Sequence, residues 1–291
     1  LAATPPDAYA QPSIDCERIA ALLDRPAPAD GATCRVTFPR GDLSVRLLGA
    51  ELPAGMGLTA WAAFHPAGSK GAIVMGDLAL TSEELGPVTA GLRENGLAIT
   101  AIHRHMLGES PAMSFVHYLG IGPPDSLAGR LRAALDRAGR PFGGPASPTG
   151  GEPGVVAGVD CDAIADALGA DPAGADRGPG YCKVSLPRDD LSVTVDGIPV
   201  PASMGISSWF AFRQTADGEA AVIAGDMALL EDGVNPAVAA LREAGIEVVA
   251  LHNHMLFDEP TVYFFHFQAR GAPLELARGL RAGLEAAGIA P

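Results

Sequence analysis

Apolar positions along the chain follow two periods, and the whole pattern runs through twice. Cys34–Leu48 and Cys182–Val195 alternate apolar and polar residues, as half-buried strands do. Trp61–His65 and Gly71–Met75 read as shorter strands, matched by Trp209–Arg213 and Ala220–Ala224. A helix is expected over Pro87–Asn95 and again over Pro236–Ala244. Pro stands at the expected first helical position of each, Asn235 is placed to cap the second, and Gly96 or Gly245 ends the helix. Two further strands are expected at Leu97–Leu107 and Ala112–Gly120, with counterparts Ile246–Leu256 and Thr261–Ala269. Leu127, Leu131 and Leu135, like Leu276, Leu280 and Leu284, form the i, i+4, i+8 stripe of a helix that packs on a sheet. With a short helix starting near Asp15 and near Asp160, each copy reads α-βββ-α-ββ-α. The expected class is α+β: two homologous repeats, each a largely antiparallel sheet with packed helices, arranged as a pseudo-dimer.

The repetition is explicit in the letters. Asp77–Gly120 aligns without gaps on Asp226–Ala269, with 17 of 44 positions identical. Upstream, Pro39-Arg40-Gly41-Asp42-Leu43-Ser44-Val45 matches Pro187-Arg188-Asp189-Asp190-Leu191-Ser192-Val193, and Met56-Gly57 matches Met204-Gly205. Trp61 and Trp209, the two tryptophans of the chain, share one repeat position. The expected division is a tail over 1–12, repeat domains over 13–140 and 155–291, and a linker over 141–154, where nine of 14 residues are Gly or Pro.

Composition narrows the partners. The chain carries 20 Lys+Arg against 34 Asp+Glu, a formal charge of −14, and has 48% hydrophobic residues. That excludes a disordered chain, and it argues against a nucleic-acid phosphate backbone or anionic lipid as partner. No apolar run is long enough for a membrane span. The Pro/Ala-rich segment Leu1–Pro12 reads as the start of a mature chain after a removed signal.

The four cysteines fall as two equivalent pairs, Cys16 with Cys34 and Cys161 with Cys182. CxxC-type metal spacing is absent. Two intra-repeat disulfides are expected, each worth about 3 kcal/mol, and they point to an oxidising compartment.

The candidate chemistry lies in the histidines. Six of the seven form one triplet twice: His103, His105, His117 and His252, His254, His266. On a strand, i and i+2 share a face, so His103 and His105 lie about 7 Å apart on one side. A hairpin centred on Pro111 would set His105 opposite His117, and one centred on Pro260 would set His254 opposite His266. The expectation is one three-His site per repeat, suited to Zn²⁺, or alternatively to Cu²⁺ or Fe²⁺. Three protein ligands leave a coordination position open, as catalytic zinc requires. Glu109 aligns with Asp258, and Glu259 follows; these turn carboxylates are candidates for acid/base work or for a fourth ligand. Asp77 and Asp226, each in a Gly-Asp pair, are candidate outer partners of the histidines. Met106, Met113 and Met255 suit either a copper site or core packing. Arg40 with Asp42, and Arg188 with Asp190, suit an acidic ligand or, more simply, surface salt bridges. The competing reading of the triplets is structural, with imidazoles hydrogen-bonded in a core or touching a ligand. P-loop, dinucleotide and nucleophile-elbow motifs are absent.

The strings PR-x-D-L-S-V, Met-Gly-x-x-x-Trp-x-x-Phe, the Gly-Asp pair and HNHML-x-x-(D/E)-x-P…H resemble the LppY/LpqO family of bacterial lipoproteins over both copies, roughly Cys16–Gly139 and Cys161–Gly288. Copy one departs at Arg104, where the family pattern has Asn, and copy two at Phe257-Asp258-Glu259. The resemblance implies an extracytoplasmic location and assigns no activity. Leu1 is not the lipidated Cys of a mature lipoprotein, so anchored and freely secreted forms both stay open. Two function classes follow. One is an exported, monomeric metalloprotein with hydrolase-type chemistry. The other is a non-catalytic module that buffers or delivers metal, or binds a small-molecule or cell-envelope ligand.

Overall fold

The computed structural model describes residues 14–139, 142–143, 159–178, 181–216 and 218–289. The expected tail over 1–12 and most of the expected linker lie outside them. The first repeat runs α1 (Cys16–Leu23), β1 (Ala29–Asp30), β2 (Thr33–Pro39), β3 (Val45–Leu47), β4 (Ala50–Leu52), β5 (Thr59–Pro66), β6 (Ala72–Thr81), α2 (Ser82–Glu94), β7 (Ala98–His103), β8 (Met113–Gly122) and α3 (Pro124–Leu135). The second runs α4 (Cys161–Leu168), β9 (Asp176–Gly178), β10 (Tyr181–Pro187), β11 (Val193–Val195), β12 (Ile198–Val200), β13 (Ser207–Gln214), β14 (Ala221–Leu229), α5 (Glu231–Glu243), β15 (Glu247–Asn253), β16 (Asp258–Glu259), β17 (Tyr263–Gly271) and α6 (Pro273–Ala286).

Each repeat builds one antiparallel six-stranded sheet, in the order β1-β2-β5-β6-β8-β7 and its counterpart β9-β10-β13-β14-β17-β15. The α+β class and the duplication are as expected. Helices cover one face of each sheet. In the first repeat Ile19 and Leu23, Val88 and Leu92, and the Leu127–Leu131–Leu135 stripe pack on Val36, Val74, Leu78 and Val116. Asp15 caps α1 by accepting the Arg18 N–H at 3.0 Å, and Asp160 caps α4 through Ala163 N–H at 3.1 Å. The disulfides Cys16–Cys34 and Cys161–Cys182 tie these short helices to β2 and β10.

Two local expectations are corrected. The helices begin five residues earlier than Pro87 and Pro236, at Ser82 and Glu231, and Asn235 lies inside α5. Glu84 reaches back to the Thr81 N–H at 2.9 Å, so the Thr-x-x-Glu capping box sets the start of α2 and outweighs the proline. The expected strand Cys34–Leu48 breaks after Pro39, where Arg40 and Leu43 close a turn, and β3 then leaves the main sheet.

The other face of each sheet is covered by the other repeat. Hairpin β3–β4, with Val45, Leu47, Ala50 and Leu52, clusters with Ala211, Val222 and Ala224 of the second sheet. Hairpin β11–β12, with Val193, Val195, Ile198 and Val200, clusters with Ala63, Ile73 and Met75 of the first. Lys70 pairs with Asp196 at the tip of that second hairpin, at 2.9 Å. This reciprocal coverage is the expected pseudo-dimer. It turns the two polar rows of the sheets toward each other.

Candidate functional site

One row of cross-strand neighbours in each sheet carries the candidate residues. In the first it reads Thr37, Trp61, Asp77, His117, Ala101 across β2, β5, β6, β8 and β7. In the second it reads Ser185, Trp209, Asp226, His266, Ala250. Directly opposite residues share a face, so Asp and His stand side by side on the inner surface. His103 lies opposite Phe115, and His252 opposite Phe264. The expected hairpin registers, centred on Pro111 and Pro260, are therefore each displaced by four positions, with a bulge in β7 and in β15. An even displacement keeps the facing of every side chain, so the triplets still converge. His105 and His254 come from the loops that follow β7 and β15.

The six histidines form one cluster rather than one site per repeat. Across the axis, the ring centroids of His103 and His252 lie 3.8 Å apart, those of His105 and His266 3.9 Å, and those of His117 and His254 3.9 Å. The sequence periodicity shows which residues are equivalent, but not that the two copies face one another. Three groups have ligand atoms mutually within 4.8 Å: His103, His105 and His266; His103, His117 and His252; and Asp226, His252 and His254. The first two draw on both repeats. All six histidines, Asp77 and Asp226 are buried.

Backbone carbonyls fix four of the rings. His105 Nδ1 meets Gly57 O at 3.0 Å, His254 Nδ1 meets Gly205 O at 3.1 Å, His117 Nδ1 meets Gly76 O at 3.1 Å and His266 Nδ1 meets Gly225 O at 2.9 Å. A carbonyl only accepts, so each Nδ1 donates, and in the neutral ring Nε2 keeps its lone pair. His105 Nε2 lies 3.2 Å from Asp77 Oδ2, and His254 Nε2 lies 3.4 Å from Asp226 Oδ2. His117 Nε2, His266 Nε2, both nitrogens of His103 and of His252, and Oδ1 of Asp77 and Asp226 are buried without a hydrogen-bond partner among the described residues. Lone pairs thus converge on lone pairs, which is costly unless a positive charge sits among them.

The electrostatics agree. Burial, reinforced by neighbouring histidines, pushes His103, His117, His254 and His266 well down, and His252 down to about 3, so these rings are neutral near pH 7. Burial and the charge of Asp77 push Asp226 well up.

The glycines of the repeated motifs acquire a role. Gly57 (φ +83°) and Gly205 (φ +99°) supply the carbonyls for His105 and His254. The tryptophan of the opposite repeat lies over each: a Cβ on Gly57 would stand 2.8 Å from Trp209, and one on Gly205 2.5 Å from Trp61. Gly76 and Gly225 leave no space for a Cβ against the Trp61 and Trp209 carbonyls. Sequence reasoning passed over Gly57 and Gly205, although the doubled Met-Gly-x-x-x-Trp string marked them.

The turn carboxylates stand elsewhere. Glu109 accepts from Arg104 at 2.6 Å and from Met113 N–H at 2.9 Å. Asp258 accepts from Val262 N–H at 2.8 Å, and Glu259 pairs with Thr194 in a short ladder. Met106, Met113 and Met255 lie in the hydrophobic clusters. Arg40 and Arg188 are buried rather than on the surface. They bind Asp42 and Asp190, and donate to the Ala79 and Ala228 carbonyls.

The cluster floors a cleft of about 730 Å³ between the repeats. His105, His117, His254, His266, Asp77 and Asp226 line its base, and Trp61, Trp209, Arg35 and Lys183 line its walls; Glu109, Asp258 and Glu259 do not.

With this arrangement in view, a family model described as a domain of unknown function (DUF1259) matches the chain twice, over residues 17–137 and 162–286. The chain belongs to the DUF1259 family. The two matches coincide with the two sheets and their helices, so one DUF1259 unit contributes half of the cluster. No curated protein matches. Among solved structures, a trimeric bacterial microcompartment shell protein, PduB, is 13% identical, with 90% of this chain and 89% of that one covered and a TM-score of 0.22. EtuB from Clostridium kluyveri is 9% identical, with 89% of each chain covered and a TM-score of 0.19.

Proposed function

We propose that this DUF1259 protein binds a transition metal at a single centre assembled from both repeats, with His103, His105, His117, His252, His254 and His266 as the ligand set. The observation that carries the reading is the buried convergence of Nε2 lone pairs whose Nδ1 atoms are tied to backbone carbonyls. This is how protein matrices hold ligating imidazoles. Nitrogen donors with two carboxylates suit Zn²⁺, with Cu²⁺ or Fe²⁺ as alternatives. Bound there, such an ion would supply Lewis-acid activation of water or of a substrate oxygen. Asp77 and Asp226 stand beside the ligands and are placed to orient them or to take a proton. Glu109 and Asp258 hold their turns in shape. The open cleft above the cluster favours hydrolase-type chemistry over closed storage. The two disulfides and the resemblance to the LppY/LpqO lipoproteins support an extracytoplasmic location.

Elemental analysis of untagged protein tests this. At least one metal per chain is expected, and His103→Ala, which removes a member of two of the three groups, is expected to lose most of it. Metal content far below one per chain after dialysis against Zn²⁺, Cu²⁺ and Fe²⁺ would falsify the proposal. A single substitution in either repeat should lower the whole content. Loss of only half in every variant would restore separate sites.

A further inference from the structure

We propose that the cleft is an oxyanion-binding site, in which Lys183 and Arg35 hold the carboxylate or phosphate of a small ligand above the histidine cluster. The two residues occupy equivalent repeat positions, on β10 and β2, and both line the cleft. Each stacks on its own tryptophan. The Arg35 guanidinium lies 4.2 Å from the centroid of Trp61, and Lys183 Nζ lies 4.7 Å from that of Trp209.

Neither cation has a salt bridge among the described residues, although Asp176 stands opposite Lys183 on β9 and lines the same cleft. Lys183 has no hydrogen bond or ion pair among the described residues. Arg35 donates Nη1 to the Ser203 carbonyl at 3.1 Å, a neutral acceptor. Asp176, an acid near Lys183, has Oδ2 engaged by the Tyr181 hydroxyl at 2.8 Å, and Asp30 lies on an exposed edge strand near Arg35. Burial, against the opposing charge of Asp176 and with a smaller push from Arg35, lowers Lys183 to about 8. Two like charges converging in a half-buried cleft are stabilised by an anion between them. The guanidinium fork and the ammonium suit an oxyanion, which takes several charged hydrogen bonds at once. Thr37 and Ser185 add hydroxyls on the adjoining row, and the two indoles offer flat apolar walls to the body of the ligand. The volume fits a small molecule. What the held anion meets below rests on the proposed metal centre, whereas its binding by the two cations does not.

Trp61 and Trp209 are the only tryptophans, so fluorescence reports on the cleft. The full chain is titrated with inorganic phosphate at constant ionic strength, with chloride as control, before and after chelator treatment. A saturable change absent with chloride is expected. Lys183→Gln and Arg35→Gln should each weaken binding at least about tenfold, while Lys183→Arg retains it and metal content stays unchanged. If Lys183→Gln does not fold, Arg35→Gln decides. Phosphate binding that is indifferent to these substitutions overturns the proposal, as does a response equal to chloride. Binding that vanishes on chelation yet ignores both cations assigns the anion to the metal and also overturns it. Lysine-dependent binding by a chain that holds no metal keeps this site and rejects the metal centre.

Discussion

Set side by side, the two repeats agree on the histidine cluster in the face they turn toward each other and differ around and behind it. The histidine triplets, the Gly-Asp pairs, the Met-Gly strings and the tryptophans are the same residues on both sides of the axis. Behind that face, Arg40 is closed by Glu84 at 2.9 Å as well as by Asp42, whereas the position equivalent to Glu84 is Gly233. Glu84 also caps α2, and α5 starts without a side-chain cap. Arg104 bonds Glu109, while its counterpart Asn253 donates to the Val262 carbonyl at 3.3 Å. Gln268, which stands where the first repeat has Leu119, crosses the axis to the Leu107 backbone. The histidine cluster therefore has one solution, and the surroundings that present it have at least two.

The largest effect that would sharpen this contrast comes from Glu84. Glu84→Ala removes a buried partner of Arg40 and the α2 cap together, and is expected to cost about 3–5 kcal/mol in denaturant unfolding. Asp190→Ala, at a carboxylate 60% exposed that pairs with the buried Arg188, should cost less, about 1–3 kcal/mol. Equal losses would erase the asymmetry. Next come Gly57→Ala and Gly205→Ala, each forcing a Cβ at positive φ against the tryptophan of the opposite repeat. Both are expected to cost about 2–4 kcal/mol and to lower metal content alike. A cost confined to one of them would break the symmetry of the shared face. The smallest is Lys183→Met. The folded-state pKa of Lys183 is depressed below the ordinary lysine value, so the unfolded chain binds the proton more readily. Lys183 therefore destabilises the fold below about pH 8, with Asp176, Arg35 and Tyr181 as its charged or titratable neighbours. The methionine variant should be more stable at pH 7 by about 1 kcal/mol, and its advantage should shrink as pH rises from about 8 to 10.5. A constant advantage across that range would contradict the shift.

Much of this was legible in the letters, and the gaps have physical reasons. The helix stripes, the N-caps Asp15 and Asp160 and both disulfides follow from local period and pairing. The start of α2 did not, because the Thr81–Glu84 capping box outweighs the proline; α5 starts at the equivalent position without a side-chain cap, and its sequence carries no mark of it. The triplets were legible as convergent, since side-chain facing depends only on odd or even spacing, and a displacement of four preserves it. Their joining into one cluster was not, because packing between repeats leaves no periodic trace. The same limit hid Gly57 and Gly205, each of which lies against the tryptophan of the opposite repeat.

The hairpin exchange has a consequence for the order of events during synthesis. When the first repeat emerges, Ala63, Ile73 and Met75 have no cover until Val193–Val200 arrive more than a hundred residues later. The nascent half thus presents an apolar sheet surface and three histidines without their opposite numbers. The cleft comes into being only when the last strand, β17, which carries His266, has docked.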